Sequence, residues 1–393
     1  MRVNWQKIII NRFYSSSNNI GYNTSIFSMI GMGVGCFAII IALSVMNGFE
    51  SQVHQRLKGF EGDLHVLDNG NGQVDYFSKI QGIELTMPYM ERKGVVKTNE
   101  TNLIVIMKAV DEKLMQEFYD IPIEGEIPKK GQAIIGQGLA NRIGKNIKDK
   151  ITLFSPIDQL YGIVGLPPIK TMEISGIFST QILNYDDSFI FITMDDGKNL
   201  FKRKRTYDGF EIRISDDTTI EAVKSELSDI LAYNLNIKSW KEKNRSLIDA
   251  MRMERLGAIA ILGLIFLVAS FNLSSNLILL SIRKMKELGI IRAIGAPKYE
   301  IMSIMVRLGI KKAIKGSLAG IVIALLIVFI QNTFFFIPLP SKIYFINFLP
   351  MELKMTDLLL VVIMVSTFIF FSSYFAAKKI ADLKLTRALQ WMK

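Results

Sequence analysis

Residues 26–46 read IFSMIGMGVGCFAIIIALSVM, a stretch of apolar and small residues without a single charge. A helix needs about 20 such residues to cross the hydrocarbon core of a bilayer. Three further runs are as long and as free of charge: Leu256 to Leu280, Gly316 to Phe336 and Leu358 to Ala377. One run alone could be the buried helix of a soluble protein. Four read as transmembrane helices, because in lipid a segment must satisfy its backbone hydrogen bonds internally. The first run is longer than the apolar region of a signal peptide, and SVMNGFE after it offers no small-x-small cleavage site. It reads as a retained anchor.

Charge placement orients the spans. Arg2, Lys7 and Arg12 precede the first run with no acid among them. Residues 281–315 carry nine Lys and Arg against Glu287 and Glu300, and the tail holds Lys378, Lys379, Lys384, Arg387 and Lys393 against Asp382. Short loops rich in Lys and Arg stay in the cytoplasm. Both termini and the 281–315 loop are therefore expected inside, with 47–255 and 337–357 outside. Much of the net charge of +11 thus sits beside membrane spans. It speaks for orientation and contact with membrane lipids rather than for nucleic acid. The lone cysteine, Cys36, lies in the first span, so the outer domain has no disulfide.

The expected organisation is a cytoplasmic N-terminal segment (1–25) with an interfacial helix, span 1 (26–46), a large periplasmic α+β domain (47–255) and span 2 (256–280). A cytoplasmic loop (281–315), span 3 (316–336), a short periplasmic loop (337–357), span 4 (358–377) and a cytoplasmic tail (378–393) follow. In the outer domain, residues 95–110 suggest two strands around an Asn-Glu turn. Residues 133–154 suggest strand, short helix, a stop at Gly144, then strand. Residues 209–231 alternate and then turn helical after Asp216-Asp217. Residues 239–255 have helical spacing and extend the second span outward as a stalk. Between 156 and 170, Leu160, Tyr161, Ile163, Val164 and Leu166 stand among turn residues. Two readings stay open there: an apolar tip that needs a partner, or a loop packed on its own domain.

Catalytic signatures are missing. GLPPIKT (165–171) lacks the second glycine of a phosphate loop and carries two prolines. His54 and His65 have no HExxH frame and no cysteine partner, and no G-x-S-x-G occurs. The chain reads as non-catalytic, with no cofactor of its own.

The cytoplasmic loop contains ELGIIRAIGAP (287–297), far too short to span a bilayer. As a helix it aligns Leu288, Ile291 and Ile294 on one side, with Gly295 suited to end it and Pro297 preventing continuation. Such a knob fits a groove on a partner, or lies back on the membrane surface; the residues alone leave both open.

ELGIIRAIGAPKYEI closely resembles the coupling-helix signature of MacB/FtsX-type ABC permeases, and the order of one span, an outer domain, three spans and a basic tail is similar too. AAKKIADLKLTRALQ (376–390) resembles that superfamily's C-terminal motif, with Lys378-Lys379 where paired arginines are usual. ALSVMNGFE (42–50), LVASFNLSSNLI (267–278) and LPSKIYFINFLPMEL (339–353) resemble the LolC/LolE group of lipoprotein-releasing permeases. The resemblance implies a permease of the inner membrane of a Gram-negative bacterium that extracts triacylated lipoproteins and passes them to a LolA-like periplasmic chaperone. It implies docking on a LolD-like ATPase dimer, which binds ATP and Mg, and pairing with a second permease subunit. Glu287 and Arg292 would orient the ATPase contact, Leu288 and Ile291 would anchor it, and Gly295 sits at a motif position. Met46, Asn47 and Phe49, at the outer mouth, would touch lipoprotein. The loop with Leu160, Tyr161, Ile163, Leu166 and Pro167 would meet the chaperone. An FtsX-like regulator of a cell-wall hydrolase and a MacB-like efflux permease are the alternatives; the first usually has a much shorter outer domain, the second usually carries its ATPase on the same chain. In the first span, Gly31, Gly33 and Gly35 read as a close-packing face, as do Gly316 and Gly320 in the third. Asn272, Ser275 and Asn276 read as interhelical hydrogen-bonding residues.

Overall fold

A computed structural model describes residues 8–10, 19–67, 77, 80–98, 102–156, 168–201, 206–230, 236–339 and 348–381. The chain divides into two compact units, Met1–Glu50 with Ala250–Lys393, and Ser51–Asp249.

The first unit is helical. It holds most of α1 (Asn19–Glu61) and of α8 (Arg245–Arg283), together with α9 (Met285–Ala293), α10 (Lys298–Phe334) and α11 (Met355–Ala381). Helices α1, α8, α10 and α11 are each long and apolar enough to cross a membrane. Their common core joins Cys36, Ile39 and Leu43 to Phe266, Leu273, Ala324, Val361 and Val365. Large side chains such as Val34, Phe271, Leu318, Phe329 and Ile363 point outward, as expected of helices that face lipid.

Glycines let α1 and α10 approach to backbone contact. A Cβ on Gly33 would stand 2.8 Å from the Gly316 carbonyl oxygen, one on Gly316 would strike the Met29 carbonyl, and one on Gly320 the Gly33 carbonyl. The glycine spacing read from the sequence is thus a helix-packing device. Between α8 and α11 the adhesive is serine. Ser274 Oγ donates to the Ser372 carbonyl at 2.8 Å, and Ser372 Oγ to the Ser270 carbonyl at 2.6 Å. These bonds fall to Ser270 and Ser274; Asn272 and Ser275, expected in that role, are exposed. A residue step turns a helix by about 100°, enough to move a side chain from seam to outer face.

The second unit is a ten-stranded mixed sheet flanked by short helices. Its strands are β1 (Leu64–Leu67), β2 (Ile83–Lys97), β3 (Asn102–Val110), β4 (Ile123–Gly125), β5 (Gln132–Gly136), β6 (Lys150–Phe154), β7 (Ile169–Phe178), β8 (Phe189–Thr193), β9 (Gly209–Ile214) and β10 (Asn236–Ser239). The order is β10-β1-β9-β2-β3-β8-β5-β7-β4, with β6 bridging β2 and β7. Pairs β3–β8 and β5–β7 are parallel and the others antiparallel. The helices are α2 (Met115–Phe118), α3 (Gln137–Ile143), α4 (Leu183–Asp186), α5 (Met194–Phe201), α6 (Ile220–Ile230) and α7 (Trp240–Lys243). The strand–helix–Gly144–strand reading of 133–154 holds as β5–α3–β6, with Gly144 left-handed at φ +60°. Helix α6 starts later than expected. Thr219 Oγ1 accepts from Ala222 N at 3.4 Å, while Asp216 and Asp217 form the preceding turn. Lys170 of the GLPPIKT stretch lies in β7 and pairs with buried Asp196, an ordinary structural ion pair.

Alternation along β3 sends Val105, Met107 and Ala109 into one core and Ile106 and Val110 into another. Lys108 therefore points into the second core, wholly buried among aromatic rings. Its Nζ lies 2.5 Å from Glu211 and 5.2–5.4 Å from the ring centres of Phe60, Tyr89 and Tyr119. His65 stands 3.3 Å from Glu211 and 3.5 Å from Glu61. Glu61, the last residue of α1, accepts from Tyr185 Oη and from Asn244 Nδ2 at 2.9 Å, with Lys243 Nζ 3.3 Å away. Burial would raise the Glu61 pKa, but His65, Lys243 and Tyr185 outweigh it and bring it down to about 2.

Candidate functional site

Helix α8 ends at Arg283, where Lys284 leaves helical geometry (φ −97°, ψ 17°), and α9 restarts one residue later. Lys284 Nζ bonds Glu287 Oε1 at 2.9 Å. Burial pushes the Glu287 carboxyl up, but Lys284 outweighs it and holds the group below its ordinary range. The far end closes as the sequence reads. Gly295 adopts φ +107° and donates to the Arg292 carbonyl at 3.0 Å, and Pro297 caps α10. No atom would obstruct a Cβ at Gly295, so its backbone angle is what calls for glycine.

The apolar stripe expected on this helix is divided. Leu288 is buried in a cluster with Ile10, Ile301, Ile304, Met305, Leu308 and Ala377, and Ile291 packs partly against it. Leu288 thus grips α10 inside the chain, whereas Ile291, the second residue expected to anchor the partner, is only partly covered. What projects is Ile290, 53% exposed, and Ile294, 82% exposed, with Tyr299 at 69%. Positions 287, 290 and 294 follow one another at i, i+3 and i+7, so Glu287 stands on the same face. Arg292 is half-buried. The outward surface is an apolar peg with a carboxylate beside it.

The end of the helical unit where α11 begins carries a polar clasp. Asn47 Nδ2 donates to Asp357 Oδ2 at 2.7 Å and to the Glu352 carbonyl at 3.2 Å. Arg255 pairs with the other Asp357 oxygen and stands 3.6 Å from Glu50. One carboxylate at the start of α11 thereby ties α1 to α8. Asn47, expected to touch lipoprotein, is 1% exposed, and its Nδ2 donates to groups of this chain. Met46 and Phe49 are half-buried beside it. Gln331 and Asn332, at the end of α10, donate to the carbonyls of Leu349 and Met351 at 3.0 and 2.9 Å and hold the segment before α11 to the bundle.

A sequence model of the MacB-like periplasmic core domain matches residues 25–230, just over half of the chain. The LolC lipoprotein-releasing system transmembrane protein of Neisseria meningitidis is 24% identical over 93% of both chains. The LolE counterpart of Haemophilus influenzae is also 24% identical, over 92% of this chain and 93% of its own. The chain belongs to the LolC/LolE family, within the MacB/FtsX superfamily. Among solved structures, the periplasmic region of MacB from Actinobacillus actinomycetemcomitans covers 50% of this chain and 97% of its own, at 11% identity and a TM-score of 0.35.

In this LolC/LolE-family chain Glu287, Leu288, Ile291 and Arg292, expected to form a coupling helix, lie in α9, and Gly295 follows its C-cap. The chaperone-loop positions Leu160, Tyr161, Ile163, Leu166 and Pro167 lie outside the described residues. Neither histidine stands in a metal-binding group among the described residues. His65 serves the Glu61–Glu211 network, and the His54 ring meets Trp240 edge-on at 5.1 Å. Sequence reasoning missed the clasp, although a signal existed: Asp357 and Arg255 are charged residues at the very edges of uncharged runs, where a buried charge needs a partner.

Proposed function

We propose that this chain is the permease subunit of an ATP-driven complex that lifts lipoproteins out of the outer leaflet of the inner membrane and hands them to a periplasmic chaperone. The observation that carries the reading is the kinship with LolC and LolE over more than nine tenths of the chain. The subunit is non-catalytic. ATP and Mg belong to a separate ATPase dimer, and a second permease chain completes the assembly. Both termini and α9 face the cytoplasm, where α9 meets the ATPase through Glu287, Ile290 and Ile294.

The cargo explains the architecture. Burial is worth about 0.8 kcal/mol per CH₂, so drawing three acyl chains into water would cost tens of kcal/mol. A cavity between two permeases, open sideways to the outer leaflet, keeps the chains in apolar surroundings throughout. ATP drives the cycle by binding one state of the assembly more tightly than the other. The α9 peg, bonded to α8 and α10 at its ends, passes that preference into the spans.

The test is reconstitution. Complex in proteoliposomes with a triacylated lipoprotein should, on ATP addition, release it to a soluble acceptor chaperone. A complex that hydrolyses ATP at full rate while the lipoprotein stays in the vesicles refutes the assignment.

A further inference from the structure

Helices α1 and α10 leave a groove of about 430 Å³ beside their glycine contact, within the size range of a small-ligand pocket. Its walls are carbon: Ile30 and Val34 on α1, Ala319 and Ile323 on α10, with Phe37 behind them. Ile30, Val34 and Ile323 are each about half exposed, so the groove opens sideways where lipid lies. The one charged side chain that lines it, Lys315, is exposed midway along α10, where the basic stretch gives way to the uncharged run that starts at Gly316. Lys312 falls one turn before Gly316 on the stripe Lys312–Gly316–Gly320 and is 8% exposed. From Lys315 to Ile323 the groove runs for about 12 Å along the helix, close to the ~15 Å depth of one leaflet.

A bare cleft of this kind would leave its lining without dispersion partners on one side. The shape suits a flexible hydrocarbon chain, and the positive charge of Lys315 at one end favours an anion at that chain's head. We infer that the groove holds a resident anionic phospholipid of the cytoplasmic leaflet, one acyl chain lying against Ala319 and Ile323 and the phosphate near Lys315. The lysine end is the cytoplasmic end in the orientation proposed above, and the inference rests on that orientation for its leaflet. The cargo occupies the opposite leaflet, so this site is separate from the lipoprotein cavity. A lipid here would brace the α1–α10 contact, filling the cleft that the glycines leave open.

The experiment uses the intact complex, reconstituted with equal phosphatidylglycerol and phosphatidylethanolamine, extracted in mild detergent, washed, and weighed by native mass spectrometry without ATP. The expected result is retained phosphatidylglycerol at about one per chain. Lys315→Glu, a substitution at an exposed position, should cut the preference for phosphatidylglycerol by about tenfold. Ala319→Phe, which fills the groove, should abolish retention of both lipids, and Val322→Phe, on the lipid-facing side outside the groove, should change nothing. Equal retention of the two lipids by the parent complex, or unchanged retention in both Lys315→Glu and Ala319→Phe, overturns the inference. Displacement of phosphatidylglycerol by added lipoprotein would also overturn it, assigning the groove to cargo. Because no ATP or release step enters the readout, failure here leaves the permease assignment standing. Labelling of the 287–297 segment from either side tests the orientation separately.

Discussion

Glu61→Gln isolates one charge at the top of α1 while keeping its shape. In the folded chain burial would raise the Glu61 carboxyl, yet His65, Lys243 and Tyr185 bring it from 4.5 down to about 2. A depressed carboxyl contributes stability that is fully present above its unfolded pKa and is lost as pH falls through the folded one. The difference is worth about 3 kcal/mol at neutral pH, since each tenfold change in proton affinity corresponds to about 1.4 kcal/mol. The same carboxylate also matters to Lys243. Burial would lower that ammonium's pKa, but Glu61 and Glu211 raise it above its ordinary value. Removing the charge thus leaves a buried cation less compensated as well. Trp240 is the natural reporter, 5% exposed and in the same aromatic core as Phe60 and Tyr185. With Trp5 and Trp391 replaced by Phe, urea unfolding of the full chain in detergent should follow that core alone. The variant should be about 3 kcal/mol less stable at pH 7. The gap should close between pH 4.5 and 2 and be gone below that, because the parent then loses what the variant never had. Parallel acid limbs, or a gap under about 1 kcal/mol at pH 7, would refute the charge network as the source of this stability.

The divided faces of α9, the proposed coupling helix, predict two different phenotypes. Ile290→Asp with Ile294→Asp should cut ATPase binding in pull-down at least tenfold without lowering the melting temperature, whereas Leu288→Ala should cost about 2–3 kcal/mol of local stability by hydrogen exchange. At the clasp, Asn47→Ala should cost about 1–3 kcal/mol by leaving Asp357 short of a buried donor, and Asn47→Asp should be worse because it sets two carboxylates together; thermal unfolding in detergent reads both. Lys108→Met should cost about 3–5 kcal/mol by stranding Glu211, and adding Glu211→Leu should recover most of it, read by the same Trp240 fluorescence.

What the sequence made legible was local. The four spans followed from length and absence of charge, and β5–α3–β6 from alternation broken by a short helix and Gly144. The end of the coupling helix followed from Gly295 and Pro297. Each of these is settled by residues within a turn or two of one another. What stayed hidden depends on partners far along the chain. Lys108 sits in LIVIMKAV as any strand lysine would, and only the return of β9 brings Glu211 to within 2.5 Å of it. Asn47 has the polarity of a ligand contact, and only the fold sets Asp357, 310 positions later, 2.7 Å from its amide. Leu288 and Ile294 are equally apolar, yet the start of α10 covers one and leaves the other 82% exposed. In each case tertiary packing, which the local pattern does not hold, decided which side chains turned inward. The correction at the coupling helix therefore carries a mechanical consequence. If Leu288 were the peg, docking would have to pull it from its own core, and the contact would loosen the helix it is meant to push. With Leu288 and Ile291 fastened to α10, and Ile290 and Ile294 presented outward, a push on the peg is delivered to α10 through packed side chains. A transmitting element needs this division between an inner face that grips and an outer face that docks. Reversing it by Leu288→Asp should therefore abolish coupled lipoprotein release even in complexes that retain the ATPase; release at the parental rate would show that force does not travel through the α9–α10 contact.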